Sequence, residues 1–599
     1  MSPFVRLPMR PTMGGKAPQS IPQFCPTPAA EQTWHYPHAG KRGVSSALAA
    51  RAERQGRWRV AFAMAGFGLL YAALAARLVF LGIATDGDGM QHTSPADLVA
   101  AARPDIVDRN GEILATDIKT ASLYGEPRRI IDADEATEQL TSVLPDLDAE
   151  RVRRQLATDA GFVWLKREIS QREQQAIHRL GIPGIGFIAE NRRFYPGGEM
   201  ASHILGHVNV DNQGIAGIEK HIDTLGLADL HQAGFALERG LEPVRLSVDL
   251  RVQHALRDEL NKALERYKAI AAIGVVLDVE TGEVVGMSSL PDYNPNNPVE
   301  ALDKDRLNRA TVGVFEMGST FKTFTTAMAL DSGQINLQDT FDATRPLHVA
   351  SFTVDDFHGK RRWLSVPEIY IYSSNIGTAR MALAVGIEGQ KAFLDKLGLL
   401  STLRTELPEA GAPIQPRKWS KLSSVTVSFG HGISVSPLQT AASAAALVNG
   451  GRYIPPTFLP RSQAKAAAMA RRVVKEETSR KMRDLMRLNV LEGTGRRAAV
   501  EGYRVGGKTG TAEKVVNGRY SSSKRFNTFL AAFPMDDPRY LVLVIIDEPQ
   551  PEKSELSATA GRNAAPTLAA VVRRIAPMLG VQPRLTDPNE PATTLAAMR

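Results

Sequence analysis

Three short motifs that could form one catalytic site occur in order along the 599-residue chain. They are Ser319-Thr-Phe-Lys322, Ser373-Ser-Asn375 and Lys508-Thr-Gly-Thr511. The Ser-x-x-Lys pattern alone is weak evidence, because it also occurs at Ser462 and Ser521. Only Ser319 precedes the other two motifs, and it opens an apolar, helix-like run. The order of the motifs therefore favours a nucleophilic Ser319 over a capped helix with an exposed lysine.

The spacing of Ser319 and Lys322 suits nucleophilic catalysis. Residues i and i+3 share one face of a helix, so the Lys322 amine can come within hydrogen-bond reach of the Ser319 hydroxyl. A serine in the first helical turn also lies at the positive end of the helix dipole, which favours a developing alkoxide. Lys322 can act as a base only if burial or a nearby cation keeps its amine neutral, and Lys508 could supply that cation.

The run VGGKTGTAEKV around Lys508 predicts a strand whose glycines let another backbone approach closely. A substrate lying along this strand would meet an ammonium, a hydroxyl and backbone donors, which suits a peptide that ends in a carboxylate. The N–H groups of Ser319 and Thr511 are candidates for an oxyanion hole. Ser373 can relay a proton, and Asn375 can hold an amide.

The elements around these motifs indicate an α+β domain. From Arg245, the run RLSVDLRVQHALRDELNKALERYKA predicts a strand that leads into an amphipathic helix. Two apolar runs joined by Glu280-Thr281-Gly282-Glu283 predict a β-hairpin. Residues 315–450 are mainly helical in pattern, strand character returns at 505–513 and 526–547, and GRNAAPTLAAVVRRIAPML predicts a closing helix.

Upstream of this domain, residues 103–245 mix short alternating strands with helical stretches such as ISQREQQAIHRLG. A turn is predicted at Asn110-Gly111. This region contains no cluster of ligand-type side chains. Its pattern predicts a domain of mixed α+β structure.

The net charge of +8 is concentrated at the N-terminus. Residues 1–59 hold nine basic and two acidic residues, a net of +7, which leaves +1 for the other 540 residues. Hydrophobic residues are 43% and charged residues 23% of the chain, so the body can bury ordinary cores. Because the body is electrically balanced, nucleic acid is not expected as a partner.

An apolar segment follows the basic one. Residues 60–76 carry no charge, and the run continues past Arg77 to Ala84, which gives 25 residues where a bilayer-spanning helix needs about 20. The basic flank predicts a cytoplasmic N-terminus and an exported body. A cleaved signal peptide is the alternative, but its Ala73-Leu74-Ala75 site would lie inside the apolar run. The single cysteine, Cys25, falls in the tail, so no disulfide can form in the exported part.

The ordered triplet of motifs resembles the penicillin-binding protein and serine β-lactamase superfamily, whose middle motif is Ser-Asp-Asn. Here Ser374 occupies the middle position, which is a departure from that pattern. The resemblance implies that Ser319 is the acylated nucleophile and that Lys322 is the acylation base. It implies that Ser373 relays a proton to the leaving D-alanine and that Asn375 positions the substrate. It also implies that Lys508, Thr509 and Thr511 bind the terminal carboxylate and shape the oxyanion hole, with Gly510 in the same substrate-binding strand.

Other stretches are similar to class B penicillin-binding proteins, which combine one membrane span, a non-catalytic pedestal and a transpeptidase domain. They include RPDIVDRNGEIL, RRFYPGG, GHVNVDNQGIAGIEKHI, LSVDLRVQ and SFGHGISVSPLQ. The run VNVDNQGIAGIEK is more similar to the cell-division (septal) subgroup than to the elongation subgroup. The expected order begins with a disordered basic tail at 1–58, a transmembrane helix at 59–84 and a dimerisation-type pedestal at 85–245. A serine β-lactamase-like transpeptidase domain follows at 246–580, with a central antiparallel sheet flanked by helices. A flexible tail is expected at 581–599.

The resemblance implies a D,D-transpeptidase that cross-links stem peptides ending in D-Ala-D-Ala, releases D-alanine and is a target of β-lactams. No cofactor and no metal are expected, and a P-loop is excluded because Ser319 stands where that motif needs lysine. The alternatives are an elongation-type transpeptidase, a non-catalytic β-lactam sensor or scaffold, and a β-lactamase. The implied location is the cytoplasmic (inner) membrane with a periplasmic catalytic domain, and the implied partners are a polytopic glycan polymerase and other division proteins.

Overall fold

A computed structural model of the protein describes residues 64–75, 77, 103–225, 242–350, 352–516, 518–553, 555 and 557–584. The chain forms two compact units, residues 1–92 and 93–599. In the first unit, residues 64–75 are helical and their side chains are exposed. No helix within the described ranges combines the length and the apolar character needed to cross a bilayer. The tail predicted at 1–58 lies outside the described residues, as does half of the span predicted at 59–84.

The first part of the second unit, which we call the pedestal, has the mixed α+β structure expected from its sequence. Its strands are β1 (Ile106–Val107), β2 (Ile113–Gly125), β3 (Val163–Ile169), β4 (Ile185–Phe194) and β5 (Val244–Arg245). Its helices are α1 (Ala133–Val143), α2 (Ala149–Leu156), α3 (Gln171–Leu180), α4 (Ser202–Leu205) and α5 (Gly217–Thr224). The strands form one sheet in the order β3-β2-β1-β5, with β4 also paired to β2.

Two local predictions in the pedestal are confirmed. The turn at Asn110-Gly111 separates β1 from β2, and Gly111 has a φ of +96°, which glycine adopts without strain. The helix predicted in ISQREQQAIHRLG is α3. It begins with a capping box in which Ser170 and Glu173 accept each other's backbone N–H.

A buried network of charged side chains joins four separate stretches of the pedestal. Arg193, at the end of β4, donates to Glu219 of α5 at 2.6 Å and to Asp117 of β2 at 3.0 Å. Arg103 donates to Glu219 at 2.9 Å and to Asp223 at 2.6 Å. The side chains of Arg193 and Glu219 are both completely buried. The network therefore ties β2, β4, α5 and the entry of the chain into the pedestal to one another.

The rest of the unit is the α+β domain expected from the sequence, apart from the strand predicted from Arg245, which forms only as β5 and pairs with β1 of the pedestal. Its strands are β6 (Ala271–Asp278), β7 (Val284–Leu290), β8 (Thr340–Asp342), β9 (Leu347–Val349), β10 (Phe352–Val354), β11 (Trp363–Ser365), β12 (Arg452–Tyr453), β13 (Arg471–Arg472), β14 (Gly506–Val516), β15 (Arg519–Phe533) and β16 (Tyr540–Asp547). Its helices are α6 (Leu250–Tyr267), α7 (Lys322–Asp331), α8 (Val366–Tyr372), α9 (Asn375–Val385), α10 (Ile387–Lys396), α11 (Lys421–Ser428), α12 (Pro437–Ala445), α13 (Gln463–Met469), α14 (Glu476–Leu491) and α15 (Ala564–Met578).

The central sheet is antiparallel and has the order β14-β15-β16-β6-β7. Every residue of β6 and β16 is buried, because helices cover both faces of the sheet. Alternate residues of β6 belong to different cores: Ala272 packs with α6 and α15, and Ile273 packs with α7 and α12. This explains why these strands are continuous apolar runs in the sequence. The strand that carries Lys508 lies at the edge of the sheet.

The pedestal and the α+β domain share hydrogen bonds and a hydrophobic core. Asn296 both accepts from the Tyr195 N–H at 3.0 Å and donates to the Tyr195 carbonyl at 2.9 Å. The Gly217 N–H at the start of α5 donates to Glu409 at 3.1 Å. Buried pedestal residues such as Ile204 pack in the same cluster as Ile273 of the sheet. The pedestal is thus packed directly against the domain that holds the motifs.

We predict that Arg193→Gln lowers the free energy of unfolding of the pedestal by about 3 to 5 kcal/mol, because two buried carboxylates lose a charged partner. The matched control is Arg192→Gln, since the neighbouring Arg192 forms only a half-exposed ion pair with Glu168 at 3.3 Å. The Arg192→Gln substitution should lower the free energy of unfolding by about 1 kcal/mol or less. Chemical denaturation of both variants measures the difference, and equal losses would contradict a stabilising role for the buried network.

Candidate active site

Ser319 lies in a single 3₁₀ turn, Gly318–Phe321, which leads directly into α7. The side chains of Phe321 and Phe324 are buried and hold the turn against the core. Ser319 itself is half-buried, so a substrate can reach its hydroxyl. The predicted position of the serine at the positive end of a helix is therefore confirmed.

Lys322 and Lys508 meet at one hydroxyl group. The Lys322 Nζ donates to the Ser373 carbonyl at 2.5 Å and to the Ser373 Oγ at 3.1 Å. The Lys508 Nζ donates to the same Oγ at 3.0 Å. Both lysines are almost completely buried, with 1% and 0% of their surface exposed. The three residues, which lie far apart in sequence, form what we call the lysine pair site.

The lysine pair site favours a neutral amine. Burial lowers the pKa of Lys322 to about 7, and the charge of Asp356 opposes only part of that shift. Burial also lowers the pKa of Lys508 well below its usual range, and the nearby charge of Lys322 lowers it further. The prediction that burial could keep the Lys322 amine neutral is therefore supported, whereas the charge effect between the two lysines lowers the pKa of Lys508 and not that of Lys322.

One detail of the expected geometry is different. The sequence spacing placed the Lys322 amine beside the Ser319 hydroxyl, but among the described residues its hydrogen bonds go to Ser373. Ser373 has a φ of 58° and ends α8, so its carbonyl and its hydroxyl both face the amine. The spacing of the motifs does not reveal that Ser373 has a left-handed backbone conformation. The hydroxyl of Ser373 thereby links the two lysines.

The departure from the family pattern at Ser374 has a structural explanation. Ser374 is the N-cap of α9, and its Oγ accepts the Gly377 N–H at 3.0 Å. The same hydroxyl donates to Asp356 at 2.7 Å. The other oxygen of Asp356 accepts the Ile376 N–H at 3.0 Å. An aspartate at position 374 would lack the proton that this bond needs.

The neighbouring Asn375 is held through its amide group. Its Nδ2 donates to the Asp355 carbonyl at 2.9 Å. Asp355 is in turn paired with Arg361 at 2.9 Å. The segment 355–361, which sequence analysis did not single out, therefore positions the middle motif. The Asp355-Asp356 pair in a loop was a weak signal that could have drawn attention to it.

Strand β14 packs against the turn that holds Ser319. A Cβ on Gly510 would lie 2.5 Å from the Met317 carbonyl, and a Cβ on Gly318 would lie 3.0 Å from the Thr511 carbonyl. The prediction that a glycine of the Lys508 motif permits a close backbone approach is confirmed, and the backbone that approaches is the protein's own. This contact places the predicted substrate-binding strand directly beside the turn that holds Ser319.

The two threonines of that strand have partners that were not predicted. The Thr509 hydroxyl lies 2.7 Å from the Thr494 hydroxyl, and Thr494 also bonds to Asn489. The Thr511 Oγ1 accepts the Ala560 N–H at 3.1 Å. Thr494 follows α14 in a Gly-Thr-Gly sequence, a turn signal that sequence analysis did not use. Within the described ranges, no group of His, Cys, Asp or Glu side chains could hold a metal ion.

Two protein-family models match the chain. The penicillin binding protein transpeptidase domain matches residues 272–573, and the penicillin-binding protein dimerisation domain matches residues 98–225. The first contains all three motifs, and the second covers most of the pedestal.

Several known proteins are similar over most of the chain. A probable peptidoglycan D,D-transpeptidase FtsI from Caulobacter vibrioides is 39% identical over 92% of this chain and 93% of its own length. A probable peptidoglycan D,D-transpeptidase PenA from Neisseria gonorrhoeae is 33% identical over 82% of this chain and 88% of its own length. The peptidoglycan D,D-transpeptidase FtsI from Escherichia coli is 29% identical over 88% and 92% of the two chains.

A solved structure has the same fold. Penicillin binding protein 3 from Mycobacterium tuberculosis, in complex with aztreonam, superimposes with a TM-score of 0.62 at 22% sequence identity. The match covers 81% of this chain and 98% of that chain.

We predict that Ser374→Asp lowers the free energy of unfolding by roughly 2 kcal/mol, because the new carboxylate faces Asp356 and a buried hydrogen bond is lost. Asp356→Asn in the same chain should restore more than half of this loss, since an amide can donate to the aspartate. Chemical denaturation of the wild type, both single variants and the double variant measures the coupling. Simple additivity of the two losses would show that the residues do not interact.

Proposed function

The chain belongs to the class B penicillin-binding proteins, and we propose that it works as a peptidoglycan D,D-transpeptidase with Ser319 as its nucleophile. The observation that carries this assignment is the convergence of two buried lysine amines on the Ser373 hydroxyl, next to a half-exposed serine at a helix start. The names of the relatives support the same reaction.

In the first half of the proposed reaction, Ser319 Oγ attacks the carbonyl of the penultimate D-alanine of a stem peptide. The neutral amine of Lys322 takes the serine proton, directly or through Ser373. The Ser373 hydroxyl then passes a proton to the departing nitrogen, so that the C–N bond breaks and D-alanine leaves. The product is an ester between Ser319 and the shortened stem.

Substrate binding is assigned to the strand that carries Lys508. Lys508, Thr509 and Thr511 are proposed to bind the terminal carboxylate, with Gly510 in the same strand and Asn375 holding an amide of the stem. The backbone N–H groups of Ser319 and Thr511 are proposed as the oxyanion hole, where they would stabilise the tetrahedral intermediate. A β-lactam would acylate Ser319 in the same way, because its strained amide opens on attack.

In the second half, an amine of a neighbouring stem attacks the ester and forms the cross-link, and Ser319 is released. We place this activity in septal wall synthesis, in line with the FtsI relatives. Restoration of growth in a conditional septal transpeptidase mutant supports that placement, whereas rescue of an elongation mutant alone reverses it.

We also propose that residues 1–58 are a cytoplasmic tail, 59–84 a membrane anchor, 85–245 the pedestal domain and 246–580 the transpeptidase domain, with 581–599 as a tail. The support for the anchor is the apolar run behind a basic segment. The body would then act at the outer face of the cytoplasmic membrane. A polytopic glycan polymerase and other division proteins are the proposed partners.

The nucleophile is tested by intact-mass measurement after incubation with penicillin. Wild type should gain one penicillin mass, and Ser319→Ala should gain none. The rate of acylation should rise with pH and level off above about 7, since only the neutral form of Lys322 accepts the proton. An adduct that survives Ser319→Ala would overturn the assignment.

The same preparation distinguishes the alternatives. A sensor would be acylated by penicillin but would form no cross-link between a stem-peptide donor and an amine acceptor. A β-lactamase would release the penicilloyl group rapidly, whereas a transpeptidase should hold it for many minutes. The control is Ser462→Ala, since Ser462 also begins a Ser-x-x-Lys sequence but is exposed and caps α13.

The topology is tested with the single native cysteine. In spheroplasts, a membrane-impermeant maleimide should leave Cys25 unlabelled until the membrane is opened with detergent. In a Cys25→Ser chain, a cysteine introduced at the exposed Ser462 should be labelled in intact spheroplasts. Labelling of Cys25 without detergent would contradict the proposed orientation.

A further inference from the structure

Three side chains from different parts of the sequence meet just before the nucleophile. They are Glu316, His431 and Tyr520, which we call the Glu316 cluster. The Tyr520 hydroxyl donates to the Glu316 carboxylate, with distances of 3.2 and 3.3 Å to its two oxygens. The rings of His431 and Tyr520 lie 5.5 Å apart in an edge-to-face arrangement. The mechanism proposed above uses none of these residues.

The backbone holds this cluster against the Ser319 turn. A Cβ on Gly430 would lie 2.2 Å from the Gly318 carbonyl, so Gly430 packs directly on the residue that precedes the nucleophile. The Gly432 N–H donates to the Glu316 carboxylate at 2.7 Å. His431 lies between these two anchored glycines. Its position is therefore set by contacts with the segment 316–318.

The hairpin of β14 and β15 brings Tyr520 to the same place. Tyr520 follows the strand that carries Lys508, and it is half-exposed. Glu513, on that strand, is close enough to raise the pKa of both His431 and Tyr520. The cluster therefore borders the predicted substrate-binding strand as well as the nucleophile.

The environment keeps His431 able to accept a proton. Burial lowers the pKa of His431, and the charges of Glu316 and Glu513 and the Phe429 carbonyl oppose that shift, while the charge of Lys322 adds to it. The net effect is a lowered pKa, so the imidazole is neutral at pH 7. Its buried Nδ1 atom makes no hydrogen bond of normal geometry within the part of the chain that the structure describes.

The lysine pair site and the Glu316 cluster interact differently with a positively charged substrate group. The lysine pair site carries two amines, neither of which attracts a positively charged substrate group. The Glu316 cluster carries the Glu316 carboxylate, which does attract one. A primary amine in water has a pKa near 10, so it arrives at a transpeptidase as an ammonium and must lose a proton before it can attack an ester.

We infer that His431 is the base that deprotonates the acceptor amine in the second half of the reaction, with Glu316 attracting the ammonium and Tyr520 holding Glu316 in place. This inference rests on the proposed transpeptidase function and deepens it. The ligand class is a primary amine of a neighbouring stem peptide.

The acceptor ammonium gives one proton to an imidazole nitrogen of His431, and Glu316 stabilises the imidazolium that forms. The neutral amine attacks the ester carbonyl and forms the C–N bond. Its remaining extra proton moves to Ser319 Oγ by way of Lys322 as the C–O bond breaks. The product is an amide and a free serine, and His431 then releases its proton to water.

The experiment measures how the acyl-enzyme of the full chain divides between aminolysis and hydrolysis. The donor is a stem pentapeptide ending in D-Ala-D-Ala, and the acceptor is a stem peptide with a free primary amine. His431→Gln should react with penicillin within about twofold of wild type, whereas its ratio of aminolysis to hydrolysis at pH 7 should fall by about 100-fold, the usual contribution of a general base. In Glu316→Gln, the ratio of aminolysis to hydrolysis should also fall, by a smaller factor.

A second acceptor separates base catalysis from a structural effect. A primary amine whose own pKa lies below the assay pH is already neutral, so the loss in His431→Gln should shrink to within a few-fold of wild type with that amine. With the ordinary acceptor, the wild-type ratio should rise with pH through the titration of His431 and then level off, whereas the ratio in the variant should keep rising as the neutral fraction of the amine grows toward its pKa near 10. The control is His254→Gln on the exposed face of α6, which should match wild type throughout.

Each outcome bears on the inference. An unchanged ratio in His431→Gln, or an equal loss with both amines, overturns it. If His431→Gln does not fold, Glu316→Gln carries the same comparison between the two amines. Failure of wild type to be acylated by penicillin at all overturns the proposed function itself, which distinguishes the two failures.

Discussion

The burial of two lysine amines on one serine hydroxyl is the constraint around which the active site is built. Moving an ammonium out of water is costly, so Lys322 and Lys508 can stay buried only where polar partners are fixed in place. Three elements supply that arrangement: α7 carries the first amine, β14 carries the second, and the loop between α8 and α9 carries Ser373. A shift of any one of them would cost a buried amine its hydrogen bond to Ser373.

Close backbone contacts keep those three elements in position. Gly510 lets β14 approach the Ser319 turn, and Gly430 lets the segment before α12 approach Gly318. Asp356 bonds to the N-cap and to the first turn of α9, which sets the Ser373 loop. The pedestal contributes at a longer distance, because its core is continuous with the core that lies under the central sheet. The site is thus a product of several packed layers and not of a single loop.

Much of the architecture was predictable from the sequence for local reasons. The hairpin of β6 and β7, the strands β14 to β16, the helix α15 and the capped helix α3 follow from apolar periodicity, turn residues and capping residues, which act over a few positions. The motif residues Ser319, Lys322, Ser373 and Lys508 do come together. Other parts were not predictable, because Asp356, Thr494 and the Glu316 cluster act through contacts between residues that are far apart in sequence.

The amino-acid sequence alone indicates which side chains are available for chemistry, the α+β class and the elements that carry the motifs. The packing of distant segments set the rest: the Lys322 amine bonds to Ser373, Ser374 caps α9 and faces Asp356, and Gly430, the neighbour of His431, packs on Gly318. The two kinds of information differ in their range along the chain. Spacing along a chain sets geometry within a turn or a strand, whereas burial, pKa and hydrogen-bond partners depend on which distant segments are packed together.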